Sequence, residues 1–190
     1  MPDTTLTLAP DTYDESNAFI KRPGVISYDS SRRADTWIPT SVVGETVIME
    51  KLHAASQHAH IIRYYGCRVH RGRITALVLE ELEKTLMQWH DDEPEDFKAQ
   101  EAKKRRIFQE LTSAVDHLHS LGLAHNDLTP SNIMLDKNGR TVLIDFGSCR
   151  ELGGRLQSAG SLGWCEGDFH ISDKRHDDYG TNKIKEWLGI

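Results

Sequence analysis

Residues 125–135 read HNDLTPSNIML, placing Asp127 five positions before Asn132, and Asp145 follows Asn132 by thirteen at the head of Asp145-Phe146-Gly147. Taken locally, Asn126, Asp127, Pro130, Ser131 and Asn132 are turn formers between two elements. Ile133, Met134 and Leu135 then run out apolar, and TVLIDFG, residues 141–147, reads as another buried strand. An acid, an amide and a second acid at these separations, each next to an apolar run, restrict the fold more than any bulk property of the chain.

The remaining patterns divide the chain into two halves. From Lys98 to Leu121 the apolar residues Ile107, Phe108, Leu111, Val115 and Leu118 recur at spacings of one, three or four, which predicts one long amphipathic helix ended by Gly122. HDDEPEDF, residues 90–97, reads as an acidic loop leading into it. Before that loop, ITALVLEEL, residues 74–82, is a short run rich in strand formers, and Val42 to Leu52 has helical spacing. Strand content therefore concentrates before residue 83 and long-helix content after it. The expectation is an α+β fold in two lobes joined near Glu80 to Glu83. Residues 1–82 form the small lobe, an antiparallel sheet with one helix, and residues 83–190 form a mainly helical large lobe.

Composition excludes several classes. Lys plus Arg at 23 against Asp plus Glu at 29 gives a net charge of −6, which argues against a nucleic-acid binder or a membrane-surface protein. Cys67, Cys149 and Cys165 are an odd number without metal-site spacing, which suits a reducing compartment better than a disulfide framework. The first residues, MPDTTLTLAPDTYDES, carry neither a basic start nor an apolar signal core, and no apolar run is long enough to span a bilayer. These features predict a cytoplasmic or nuclear protein. His53, His58 and His60 do not form a metal motif, and KKRR, residues 103–106, reads as the solvated face of a helix.

HNDLTPSNIML resembles the catalytic loop of the protein kinases, H-R-D-L-x-x-x-N, and Asp145-Phe146-Gly147 resembles the metal-binding motif that follows it in that family. Either motif alone leaves the turn reading open; both in order, at matching separation, favour the kinase fold. Phosphoryl transfer needs magnesium on hard oxygen ligands and a separate carboxylate to orient the attacking hydroxyl. The resemblance makes Asp127 that carboxylate, with Asn132 and Asp145 as Mg2+ ligands. QHAHIIRYYGC, residues 57–67, looks like the segment leading into the family's fourth strand. Glu45, on one helix face with Ile48, Met49 and Leu52, falls where the family places its ion-pairing glutamate, and Lys21 of AFIK is the candidate lysine for ATP. By the same resemblance Leu79 backs the nucleotide pocket, while Glu80 and Leu82 offer backbone groups to adenine. GSLGW, residues 160–164, resembles the close of an activation segment, with Asp168 near its end. In HDDYGTNKIKEWL, residues 176–188, Asp177 would brace the catalytic loop. Together these segments are similar to kinase-like proteins of filamentous fungi.

The departures also carry implications. No glycine precedes Gly24, so the family's glycine-rich phosphate loop has no counterpart, and the chain reads as truncated at both ends. Thr129 stands at the catalytic position where Ser/Thr kinases carry a lysine, which removes a positive charge from the transition state. Asn126 replaces the arginine of H-R-D, which implies no regulation by loop phosphorylation. Three functions fit. The first is a reduced serine/threonine kinase acting on an unknown protein substrate with ATP and Mg2+. The second is a pseudokinase or interaction module, and the third a phosphotransferase of the choline or aminoglycoside type. The final helix, with Ile184, Trp187, Leu188 and Ile190 and nothing downstream, is expected to expose apolar surface and to self-associate or seek a partner.

Overall fold

The computed structural model describes residues 5–23, 37–157 and 160–190, with the backbone alone at 37–40. It divides into two compact units, Met1–Gln57 with Arg63–Glu81, and His58–Ile62 with Leu82–Ile190. The architecture is α+β with antiparallel sheets. No helix among the described residues is long and apolar enough to cross a membrane.

In the first unit, β1 (Phe19–Lys21), helix α1 (Trp37–Ala54), β2 (Tyr64–His70) and β3 (Arg73–Leu79) follow in chain order. The strands form an antiparallel sheet in the order β1-β3-β2, with Lys21 opposite Leu77 and a register shift between Tyr64 and Gly66. Period-two alternation gives the sheet two apolar faces. One buries Ala18, Ile20, Ala76 and Val78, with Ala9, Tyr13 and Tyr65 packed against them. The other presents Tyr64, opposite Leu79 in the register, toward α1, whose Glu50 accepts the Tyr64 phenol proton at 2.9 Å. The predicted helix over residues 42–52 is longer at both ends, and it buries Thr46 and Glu50 beside the expected Glu45, Ile48, Met49 and Leu52.

The second unit runs β4 (Lys84–Thr85), α2 (Leu86–Asp92), α3 (Pro94–Ala99), α4 (Glu101–Ser120), β5 (Leu123–Ala124), a 3-10 turn (Pro130–Asn132), β6 (Ile133–Leu135), β7 (Thr141–Leu143), β8 (Arg150–Glu151) and α5 (Lys174–Leu188). Its sheets are β4-β6-β7 and β5-β8. Residues 58–62 join it through Ile61, which bridges to Leu143, and the Ile62 amide, which donates to the Leu143 carbonyl at 3.1 Å.

The acidic stretch expected to be a loop is helical. Thr85 and Gln88 form a reciprocal capping box at the start of α2, Pro94 opens α3, and Glu95 and Asp96 sit in its first turn where the helix dipole favours them. Trp89 and Phe97 bury the apolar side of both helices, and the indole N–H of Trp89 donates to Asp96 at 2.9 Å. The long helix consequently starts at Glu101 after a break at Gln100, not at Lys98. Within KKRR, Lys104 is buried with its ammonium over Phe97 and Lys103 lies over Trp89, so two of its four cations cover aromatic rings.

The expectation of an uncovered final helix is also corrected. Ile184 and Leu188 of α5 are fully buried, and Trp187 packs against Phe97 and His90 at centroid distances of 5.0 and 5.2 Å and against Trp164 at 6.4 Å. The acidic segment, once folded into α2 and α3, supplies the rings that cover it. Sequence periodicity could not show a cover drawn from ninety positions upstream.

Candidate active site

The loop 125–132 is positioned by a single buried carboxylate. Asp177, in the first turn of α5 and fully buried, accepts the backbone N–H of His125 at 2.9 Å and that of Asn126 at 2.8 Å. A third donor is His119 Nε2 from the end of α4, at 2.8 Å. The bracing expected of Asp177 is present, and its partner His119 carried no signal in the sequence. His125 donates through Nε2 to the Ile144 carbonyl at 3.0 Å and meets the buried Phe146 ring edge-on at 5.2 Å. These contacts tie the loop to the segment carrying Asp145.

Asn126 occupies the left-handed region at φ 64°, where asparagine is among the few side chains tolerated at modest cost. Its amide donates to the carbonyls of Ala124 and Ser148 and to the Ser172 hydroxyl, at 2.8, 3.2 and 3.0 Å. The residue standing where the kinase pattern has arginine is thus a buried cross-link between this loop, the segment after Phe146 and the approach to α5. The helix itself comes close, since a Cβ on Gly180 would lie 2.8 Å from Leu128 Cβ.

Asp127 and Asn132 are brought together. Asn132 Nδ2 donates to the Asp127 carboxylate at 3.1 Å and to the Asp127 carbonyl at 2.9 Å, and the turn that permits this is closed by the Asn132 amide on the Thr129 carbonyl at 3.0 Å. The second Asp127 oxygen accepts the Ser161 N–H at 2.8 Å. The Asn132 carbonyl takes the Ile144 N–H at 2.9 Å, linking the end of this turn to the stretch leading to Asp145. Asp145 is exposed at φ 59° and accepts the Gly147 N–H at 3.2 Å. The predicted strand over residues 141–147 therefore ends at Leu143, because a left-handed residue cannot continue a ladder. Thr129 is buried, at 4% exposure.

In the first unit, the Lys21 ammonium and the Glu45 carboxylate pair at 2.7 Å, with side chains 28% and 10% exposed. Leu79 is buried at the end of β3, and Glu80 accepts the Arg63 N–H at 2.8 Å and donates its own N–H to the Arg63 carbonyl at 3.0 Å. Leu82 belongs to the second unit and is half-buried.

Residues 25–168 match the family described as the protein kinase domain. Glu45, Asp127, Asn132 and Asp145 lie inside that match, and Lys21 lies four positions ahead of it. The chain is 30% identical over 177 residues to the serine/threonine-protein kinase/endoribonuclease IRE1 of Hypocrea jecorina (strain QM6a), covering 85% of this chain and 13% of that protein. It is 52% identical over 50 residues to CBL-interacting serine/threonine-protein kinase 5 of Arabidopsis thaliana, covering 26% and 11%. To the MAP kinase kinase kinase SSK2 of Saccharomyces cerevisiae (strain ATCC 204508 / S288c) it is 26% identical over 144 residues, covering 70% and 9%. The chain thus spans less than a fifth of each of these relatives. With the match running over the helix that carries Glu45, the loop at Asp127 and the Asp145 motif, the chain belongs to the protein kinase domain family.

Proposed function

We propose that the chain is a reduced protein serine/threonine kinase, transferring the γ-phosphoryl group of ATP to a protein hydroxyl. The carrying observation is the Asp127–Asn132 pair, two oxygen-bearing side chains 3.1 Å apart on a loop pinned by a buried carboxylate. Asn132 spends its amide nitrogen on Asp127, so the atom that side chain offers a cation is its oxygen. Asp145, exposed and carboxylate-bearing, supplies the second hard oxygen ligand. That donor set fits magnesium, which is commonly held by one or two side chains together with the phosphates of its nucleotide. When bound, the ion neutralises charge developing on the transferred group. Lys21, oriented by Glu45, is the ATP ligand of the first unit. Leu79 would line the base pocket, and the backbone at Glu80 and Leu82 would meet adenine. Asp127 accepts hydrogen bonds, and in this reading it orients the substrate hydroxyl and takes its proton.

The experiment has two stages. Mg-ATP is expected to raise the melting temperature of the intact protein by mass action, and Asp145→Asn to cancel the shift. Asp127→Ala is then expected to abolish labelled-phosphate transfer to a generic acceptor protein while sparing the thermal shift. A pseudokinase is the second reading, favoured by Thr129 in place of a lysine and by the Ser161 N–H occupying one Asp127 oxygen. It predicts no transfer to any acceptor. Label appearing on choline or an aminoglycoside, and never on protein, would overturn both.

A further inference from the structure

Residues 7–13 lie across the edge of the first unit's sheet and touch both of its faces. The Cys67 amide donates to the Thr7 carbonyl at 2.8 Å and the Ala9 amide to the Cys67 carbonyl at 3.0 Å, which lays this stretch parallel along β2. Ala9 and Tyr13 then pack on the face away from α1, where the Tyr13 and Tyr65 rings stack at 4.2 Å and Arg68 donates to the Tyr13 carbonyl. On the helix side, Thr7 gives both its N–H and its hydroxyl to the Glu50 carboxylate, at 2.8 and 2.7 Å.

Gly66 makes room for this crossing. At φ 128° it holds a conformation closed to ordinary side chains, and a Cβ there would come within 2.6 Å of the Ala9 nitrogen and 2.7 Å of the Thr7 carbonyl oxygen. Glu50 in turn is 8% exposed, and its carboxylate is satisfied by Thr7 and by the phenol of Tyr64. Burial, reinforced by the bond to Glu50, pushes the Tyr64 phenol well above its ordinary range, so it stays a donor. Displace residues 7–13, and a buried carboxylate loses two of these three donors, the Thr7 N–H and the Thr7 hydroxyl.

Glu50 sits on the helix that carries Glu45, five residues away. We infer that residues 7–13 are a built-in clamp on α1, with Thr7 and Glu50 as positioning residues that hold the helix where Glu45 meets Lys21. This deepens the proposed function and rests on it for the consequence in nucleotide binding. The clamp draws on both sheet faces and on one helix side chain, so it ties the small sheet to α1. Neither Thr7 nor Glu50 touches nucleotide in this account.

The test uses the full chain with two readouts, amide hydrogen exchange over residues 42–52 and a Mg-ATP titration. Thr7→Val keeps the shape of the side chain and removes the hydroxyl, and Gly66→Ala evicts the crossing segment from the other side. Both are expected to speed exchange over residues 42–52 and to weaken Mg-ATP about fivefold or more, the low end of a typical coupling between two sites. Thr7→Ser restores wild-type behaviour in both. Unchanged exchange over residues 42–52 in Thr7→Val and Gly66→Ala would overturn the clamp, as would faster exchange with unchanged Mg-ATP affinity in a wild type that binds nucleotide. If the wild type binds no Mg-ATP, the proposed function fails separately, and the exchange readout still decides whether the segment holds the helix.

Discussion

The two units secure their candidate residues by different means. In the second, the loop around Asp127 is fixed through its backbone: two main-chain amides end on Asp177, a third amide bridges Asn132 to Ile144, and Asn126 adds three bonds from a left-handed position. In the first, Lys21 and Glu45 meet through the ends of two long side chains, one on an edge strand and one on a helix. Backbone tethering leaves little freedom and makes the loop part of the core. A side-chain pair depends on where its helix lies, and the contact at 2.7 Å breaks with a small shift of α1. The second unit is therefore expected to tolerate little change near its loop, and the first to tolerate change with a loss of binding.

The largest effect that would sharpen this contrast comes from Asp177→Ala. It strands two buried backbone donors and the His119 ring, which should cost about 3 to 5 kcal/mol, read as a lower denaturant midpoint. A loss under about 1 kcal/mol would show that water or neighbours replace the carboxylate at no penalty, and would break the comparison. Gly180→Ala comes next. Its added methyl would press on Leu128 at both the Cβ, 2.8 Å away, and the carbonyl oxygen, 3.2 Å away, for about 1 to 3 kcal/mol of overpacking. Because Leu128 adjoins Asp127, phosphoryl transfer should fall more than Mg-ATP affinity does. Smallest in stability is Lys21→Met, about 1 kcal/mol or less because the pair is only partly buried. Its Mg-ATP titration should nonetheless collapse; an affinity equal to wild type would remove Lys21 from the site.

Much of the second unit's loop was legible because its chemistry is local. Asp127 to Asn132 spans one turn, and a turn of that length can be read from residue types alone. Asp177 was legible only through resemblance, since nothing in its own surroundings marks it as the acceptor for residues fifty positions upstream. His119 and the cross-link through Asn126 went unseen for the same reason: a histidine near a helix end and an asparagine in a turn have bland local explanations. The acidic stretch misled in the opposite direction. Its charge suggested a loop, whereas the capping box at Thr85 and the proline at residue 94 are ordinary helix-start signals, and Trp89 and Phe97 provide the apolar side that pays for the fold of both helices.

By itself the sequence determined the α+β composition, the helices over residues 42–52 and through residues 101–120, the apolar faces of those two helices, and the separations among Asp127, Asn132 and Asp145. All of these rest on interactions within a few residues, where periodicity and turn chemistry act. The tertiary structure alone decided that Thr7 ties residues 7–13 to Glu50 across the space Gly66 leaves open, that Trp187 is covered by Phe97 and His90, and that Asn126 is a cross-link instead of an exposed turn residue. Such contacts join segments far apart in the chain, and whether a polar group is buried or a ring is covered depends on which distant segment arrives beside it.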